Sequence, residues 1–94
     1  MIYNKNNIFA KILRNEISCK KIFENDHVLS FYDNNPQKII HALVIPKGEY
    51  INLDDFNNRA SDQEIISLCK AITEVSKILG ISTDTGKGYR ALTN

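Results

Sequence analysis

The side chains of this sequence that could do chemistry are few: two histidines, two cysteines and scattered carboxylates. His27 and His41 lie fourteen positions apart, so they do not form the closely spaced, alternating set that would place several imidazoles together on one strand. Cys19 and Cys69 lie fifty positions apart, without the paired spacing of a zinc or thiol redox site. No glycine-rich phosphate loop or serine-centred elbow is present either. We therefore predict no bound metal and no cofactor.

Asp33 and His41 are two polar residues for which the sequence alone favours an ordinary structural role. Asp33 follows an apolar segment and begins the turn at residues 34–36, and these residues alone favour a carboxylate that bonds the backbone of its own turn. An ionised carboxylate also has two oxygens with which to accept hydrogen bonds from two neighbouring hydroxyl groups. His41 lies in an apolar segment, where a core histidine that is bonded to the backbone is the ordinary case.

Three apolar segments predict the strands that must position these residues. Residues 20–24 and 27–33 are separated by Asn25-Asp26, a pair that favours a tight turn and therefore a hairpin. Residues 40–45 form a strongly apolar strand that Pro46 ends, and we expect this strand to be central and covered on both faces. Residues 88–94 alternate like a further strand, and the sequence stops inside it.

Two helices are predicted around these strands. Asn7 caps a short helix that fades near Asn15 and whose buried side carries Ile8, Phe9, Ile12 and Leu13. After a loop at residues 47–60, Ser61 and Glu64 form a capping box, and a long amphipathic helix follows as far as Gly80. Its apolar positions recur at helical spacing: Ile65, Leu68, Ile72, Val75 and Leu79. These elements predict an α+β fold with an antiparallel β-sheet, in one domain over residues 1–94.

Composition restricts the partners of the chain. Its 94 residues carry 12 basic and 11 acidic side chains, a net charge of +1 that is too even for a sequence-independent nucleic-acid or membrane partner. No segment of the sequence approaches the run of about 18 apolar residues that a membrane-spanning helix needs. We expect a soluble, cytoplasmic protein, and a chain this small gains stability from pairing with a second subunit.

Four segments, taken in order, resemble one family: residues 7–12 (NIFAKI), 31–37 (FYDNNPQ), 41–47 (HALVIPK) and 88–90 (GYR). They are similar to the histidine-triad (HIT) family of nucleotide-binding proteins and hydrolases, in its bacterial Hint-like branch. The resemblance implies the HIT-like fold and a homodimer with an AMP-like purine nucleotide as its ligand.

The same resemblance implies a role for individual residues. The apolar walls around the purine would be Phe9, Ile12 and Phe31, and the alternative for these is ordinary core packing. Asp33 would bind the ribose. Three further residues complete the implied site: Asn34 where the family usually carries an apolar residue lining the base, His41 as an accessory group near the reacting phosphate, and Asn94 near that phosphate or the catalytic loop.

The family reaction that the resemblance implies transfers a nucleoside monophosphate to a histidine of an alternating His-x-His-x-His strand, and water then releases it. This chain has no such histidine cluster, so we expect it to be inactive alone. We expect a C-terminally truncated domain whose final strand is missing. The alternative is a shortened protein that persists as a non-catalytic nucleotide-binding module or a protein-interaction remnant.

Overall fold

A three-stranded antiparallel sheet lies at the centre of the computed structural model, which describes residues 2–84 and 86–93. Its strands are β1 (Lys21–Glu24), β2 (Val28–Tyr32) and β3 (Ala42–Pro46), in the order β1-β2-β3. Helices pack on this sheet, which confirms the predicted α+β fold. The prediction of a central third strand is wrong for the described residues, because β2 is central and β3 pairs with β2 alone. The apolar sequence of β3 reflects packing on its two faces.

The β1–β2 hairpin forms at the predicted turn. The Asn25 side chain accepts hydrogen bonds from the backbone N–H groups of His27 and Val28, both at 2.9 Å. These bonds close the turn, and Asn25 N donates to the Val28 carbonyl at 3.0 Å. An asparagine therefore performs the turn-forming role that its residue type predicted.

Helix α1 (Ile8–Leu13) covers one face of the sheet and begins at its predicted cap, where the Asn7 side chain accepts from Ala10 N at 2.9 Å. Ile12 packs with Leu29 and Phe31 in the core of this face. The prediction of a buried Ile8 and Phe9 is wrong in part, because their exposed fractions are 50% and 40%. A six-residue helix contacts the sheet along one narrow stripe, and its first turn lies outside that stripe.

Helix α2 (Leu53–Arg59) lies inside the segment predicted as a loop. The Asn52 side chain caps this helix by accepting a hydrogen bond from Asp55 N at 2.8 Å. The acidic side chains of the first turn stabilise it further, because they lie at the positive end of the helix dipole. The helix buries Phe56. With few apolar residues, this segment shows no helical periodicity, although its capping residues were visible in the sequence.

Helix α3 (Asp62–Ile78) packs on all three strands. It lies on the face that carries Phe23, opposite the Leu29 and Phe31 side chains against which α1 packs. The predicted capping box is confirmed: Glu64 N donates to the Ser61 hydroxyl and Ser61 N donates to the Glu64 carboxylate, both at 3.1 Å. Gly80 follows with a φ of +71°, a left-handed conformation that glycine adopts without strain. None of the described helices is long and apolar enough to cross a membrane.

The predicted strand at residues 88–94 does not form over residues 88–93, which are irregular, and Asn94 lies outside the described residues. Leu92 is 85% exposed. A strand requires a neighbour that takes up its backbone hydrogen bonds, and no strand of the described chain pairs with this segment.

Candidate functional site

The site lies where β2 and β3 end together. Asp33 N donates to the His41 carbonyl at 2.9 Å, which continues the antiparallel pairing one step beyond the last residues of both strands. Because side chains alternate along a strand, Asp33 projects to the same side as Phe31, and His41 to the same side as Leu43. Phe31 and Leu43 are partners across the sheet, so the carboxylate and the imidazole share the face that α1 covers.

The side chains of Asp33 and His41 are in contact. Asp33 Oδ2 lies 3.3 Å from His41 Nε2, and the two side chains are 25% and 28% exposed respectively. Asp33 Oδ1 accepts the N–H of Asn35 at 2.9 Å, so the turn-forming interpretation of this aspartate is confirmed. His41 Nδ1 accepts the N–H of Gln37, also at 2.9 Å. The structure thus brings together the two polar residues singled out from the sequence and adds the Gln37 amide, for which the sequence carried no signal.

The three predicted apolar residues differ in exposure. Phe31 and Ile12 are 3% and 4% exposed and belong to the core of this face. Phe9 is 40% exposed, and its ring centroid lies 6.4 Å from that of Phe31 at an interplanar angle of 44°. Phe9 is therefore the member of the set with an aromatic surface open to a ligand.

The remaining predicted site residues lie apart from this contact. Asn34 is exposed beside Asp33, and Asn94 is outside the described residues. His27 is half-buried, and its carbonyl accepts Lys47 N at 2.9 Å, at the opposite end of the β2–β3 pairing from His41. The two histidines are therefore not brought together.

That opposite end carries an ion-pair cluster. Glu24 lies 2.5 Å from Lys21 Nζ and 2.7 Å from Lys47 Nζ. Hydrogen bonds from Lys21, and then from Lys47, lower the pKa of Glu24 to about 2. The carboxylate is thus held by two cations, and this cluster joins the β1–β2 hairpin to the end of β3.

The described surface has two concave regions that neither Asp33 nor His41 lines. One, of about 550 Å³, lies between β1 and α3 and includes Phe23 and Ile66. The other, of about 350 Å³, lies between the N-terminal segment and the end of β3, and Phe9 lines it. No three His, Cys, Asp or Glu side chains of residues 2–84 and 86–93 converge as metal ligands would. Asp33 and His41 instead lie at an open end of the sheet.

Known proteins share this arrangement of elements. Residues 14–94 match the HIT domain family. A 13.2 kDa HIT-like protein of Azospirillum brasilense is 50% identical over 92 residues, covering 98% of this chain and 73% of that protein. A HIT family hydrolase from Clostridium thermocellum has a solved structure with a TM-score of 0.81 and 34% identity, covering 97% of this chain and 76% of that one. A histidine triad protein from Clostridium difficile has a solved structure with a TM-score of 0.78 and 34% identity. The match covers 99% of this chain and 77% of that one.

Proposed function

Because this chain belongs to the HIT family, we propose that it binds the nucleoside portion of an AMP-like purine nucleotide at the Asp33 end of its sheet. The observation that carries the proposal is the position of the Asp33 carboxylate. It is one-quarter exposed and lies on the same face of the sheet as the Phe31 ring, whose centroid lies 6.4 Å from that of the Phe9 ring.

The hydrogen-bonding capacity of Asp33 supports a ribose ligand. An ionised carboxylate offers about four lone-pair positions. The Asn35 amide takes one of them and the His41 imidazole lies against the other oxygen. The remaining capacity matches two neighbouring sugar hydroxyls, each of which needs one acceptor. The turn-forming role of Asp33 is therefore compatible with ribose binding.

Phe9 supports a purine beside that ribose. Its ring is partly exposed, and a purine that stacks on it removes further apolar surface from water. Phe31 and Ile12 would hold Phe9 in place from below rather than line the pocket, since both are already buried. The exposed amide of Asn34, next to Asp33, makes the edge of the proposed purine site more polar than an apolar residue would.

The chemistry of the family needs a further group. The Clostridium thermocellum relative is a HIT family hydrolase, and we propose that a full-length family member reacts through a nucleotidyl-histidine, with the residue at the position of His41 as an accessory group. Within these 94 residues His27 is the only other histidine, and it lies at the far end of the strand pairing. The chain on its own is therefore expected to bind nucleotide without turnover. A homodimer and a cytoplasmic location stay predictions.

A calorimetric titration with AMP tests the binding proposal. Asp33→Asn keeps an oxygen for the Asn35 amide but loses the ionised acceptor, and should weaken binding roughly tenfold, as expected for a hydrogen bond to a charged group. The matched control, Asp26→Asn in the exposed hairpin turn, should bind like the unmodified chain. Replacing AMP by its 2′,3′-dideoxy analogue should weaken binding to the unmodified chain by the same factor and have little further effect on Asp33→Asn. Absence of any heat with millimolar AMP, or equal affinities for both nucleotides, would overturn the proposal.

A further inference from the structure

The loop that connects β2 to β3 gains almost nothing from burial. Every residue from 34 to 40 is exposed, and Ile39 is fully so at 104%. Two hydrogen bonds join it to the residues at its ends: Asn35 N donates to Asp33 Oδ1, and Gln37 N donates to His41 Nδ1, both at 2.9 Å. Within the loop, Gln37 Nε2 donates to the Asn35 carbonyl at 3.5 Å. The side chains of Asp33 and His41 therefore order the loop that lies beside the candidate ribose site.

The Gln37 bond decides which nitrogen of His41 carries the proton. A backbone N–H is a donor only, so Nδ1 must offer a lone pair, and the neutral ring then carries its hydrogen on Nε2. That nitrogen is the one that lies 3.3 Å from Asp33 Oδ2. The ring thus receives a hydrogen bond from the loop at Nδ1, and its Nε2 lies within ion-pair distance of the Asp33 carboxylate.

From this geometry we infer that His41 is a positioning residue for Asp33, acting as the neutral tautomer with its proton on Nε2. The inference rests on the proposed role of Asp33 in ribose binding and adds how that role is regulated. In this state His41 contributes orientation to the ribose site rather than positive charge to a phosphate.

Protonation of His41 changes both of its contacts. A hydrogen on Nδ1 replaces the acceptor of the Gln37 amide by a donor, so that bond is lost. The imidazolium at the same time attracts the Asp33 carboxylate and competes with the sugar hydroxyls for it. Asp33 is the charged side chain within ion-pair distance of His41 in the described part of the chain. Nucleoside affinity should therefore fall as His41 becomes protonated.

Nitrogen-15 NMR of the unmodified chain tests the tautomer directly. Long-range correlations between ring protons and ring nitrogens, assigned by loss of the signals in His41→Asn, should show the proton on Nε2. In a pH titration the Gln37 amide resonance should move together with the His41 ring. The inference would be overturned by a proton on Nδ1, or by a Gln37 amide resonance that stays constant while the His41 ring resonances move.

Two variants test the consequence for binding, with adenosine and 2′,3′-dideoxyadenosine as probes because neither carries a phosphate. His41→Ala should reduce the affinity ratio of the two nucleosides from roughly tenfold toward one. His41→Asn, which keeps an acceptor for the Gln37 amide, should restore at least half of that ratio.

The outcomes separate this inference from the proposed function. If the unmodified chain does not distinguish the two nucleosides, the ribose role of Asp33 fails. If the unmodified chain and Asp33→Asn behave as proposed but His41→Ala keeps the full ratio, only the role of His41 fails. Should His41→Ala unfold, as circular dichroism would reveal, the tautomer measurement on the unmodified chain still decides.

Discussion

The two ends of the β2–β3 pairing each bring a carboxylate next to a basic group, and they differ in what the basic group is. At one end Glu24 contacts the ammonium groups of Lys21 and Lys47. At the other end Asp33 contacts the backbone amide of Asn35 and the imidazole of His41. A carboxylate held by two cations is a structural clamp, whereas one held by an amide and an imidazole keeps acceptor capacity for a ligand.

The largest effect is expected from the residue beneath the Asp33 end. Phe31→Ala should lower the free energy of unfolding by about 3 to 5 kcal/mol, because it deletes a buried aromatic side chain. Phe9→Ala is the matched control, since this second ring is 40% exposed and should cost much less stability while still weakening nucleotide binding. Urea denaturation of both variants measures this difference. Equal losses of stability would contradict the assignment of Phe9 to the ligand and Phe31 to the core.

The next largest effect is expected at the Glu24 end, whose contribution to the stability of the fold depends on pH in the acid range. The pKa of Glu24 is lowered from 4.5 to about 2 in the folded chain, so its contribution to stability is present above pH 4.5 and is lost as the pH falls toward 2. Urea midpoints across this range should fall less steeply for Glu24→Gln than for the unmodified chain. Some slope should remain, because Arg59 lowers the pKa of Asp55 to about 2 as well.

The same Glu24→Gln variant distinguishes the two ends. Its affinity for AMP at neutral pH should equal that of the unmodified chain, because the clamp lies at the far end of the strand pairing from Asp33. A loss of affinity comparable to that of Asp33→Asn would mean that the two ends are not separate in function.

The smallest effect is expected between the two ends, at Ser30 in β2. Its hydroxyl is fully buried and has no hydrogen-bond partner among the residues that the structure describes. Ser30→Ala should therefore leave the free energy of unfolding unchanged or raise it by up to about 1 kcal/mol. Ser76→Ala is the matched control: this buried hydroxyl donates to the Thr73 carbonyl at 2.7 Å, and its loss should cost roughly 0.5 to 1.5 kcal/mol. Thermal or urea unfolding gives both values, and a destabilised Ser30→Ala would show that its hydroxyl is satisfied.

Local chemistry made several elements predictable. The Ser61–Glu64 capping box, the Asn7 cap and the Asn25 turn each act within a few residues, and all three form as their residue types indicate. The resemblance to the HIT family likewise implies roles for Asp33 and His41, and the structure places their side chains in contact.

Features that depend on the path of the chain were not predictable from local patterns. The short helix α2 has too few apolar residues to show a period, and the edge position of β3 depends on which strands are available to pair with it. Residues 88–93 alternate like a strand but have no described partner strand. The contact of His41 with both Asp33 and the Gln37 amide depends on how the loop at residues 34–40 folds back, which no residue type specifies.

The most direct test of the account is a titration of the ¹⁵N-labelled chain with AMP, followed by amide chemical shifts. We predict that the shifts concentrate in Phe31–His41 and in Phe9, and that the amides of Glu24 and Lys47 stay nearly constant. Shifts concentrated at the Glu24 end, or no shifts at millimolar AMP, would contradict the assignment of ligand binding to the Asp33 end.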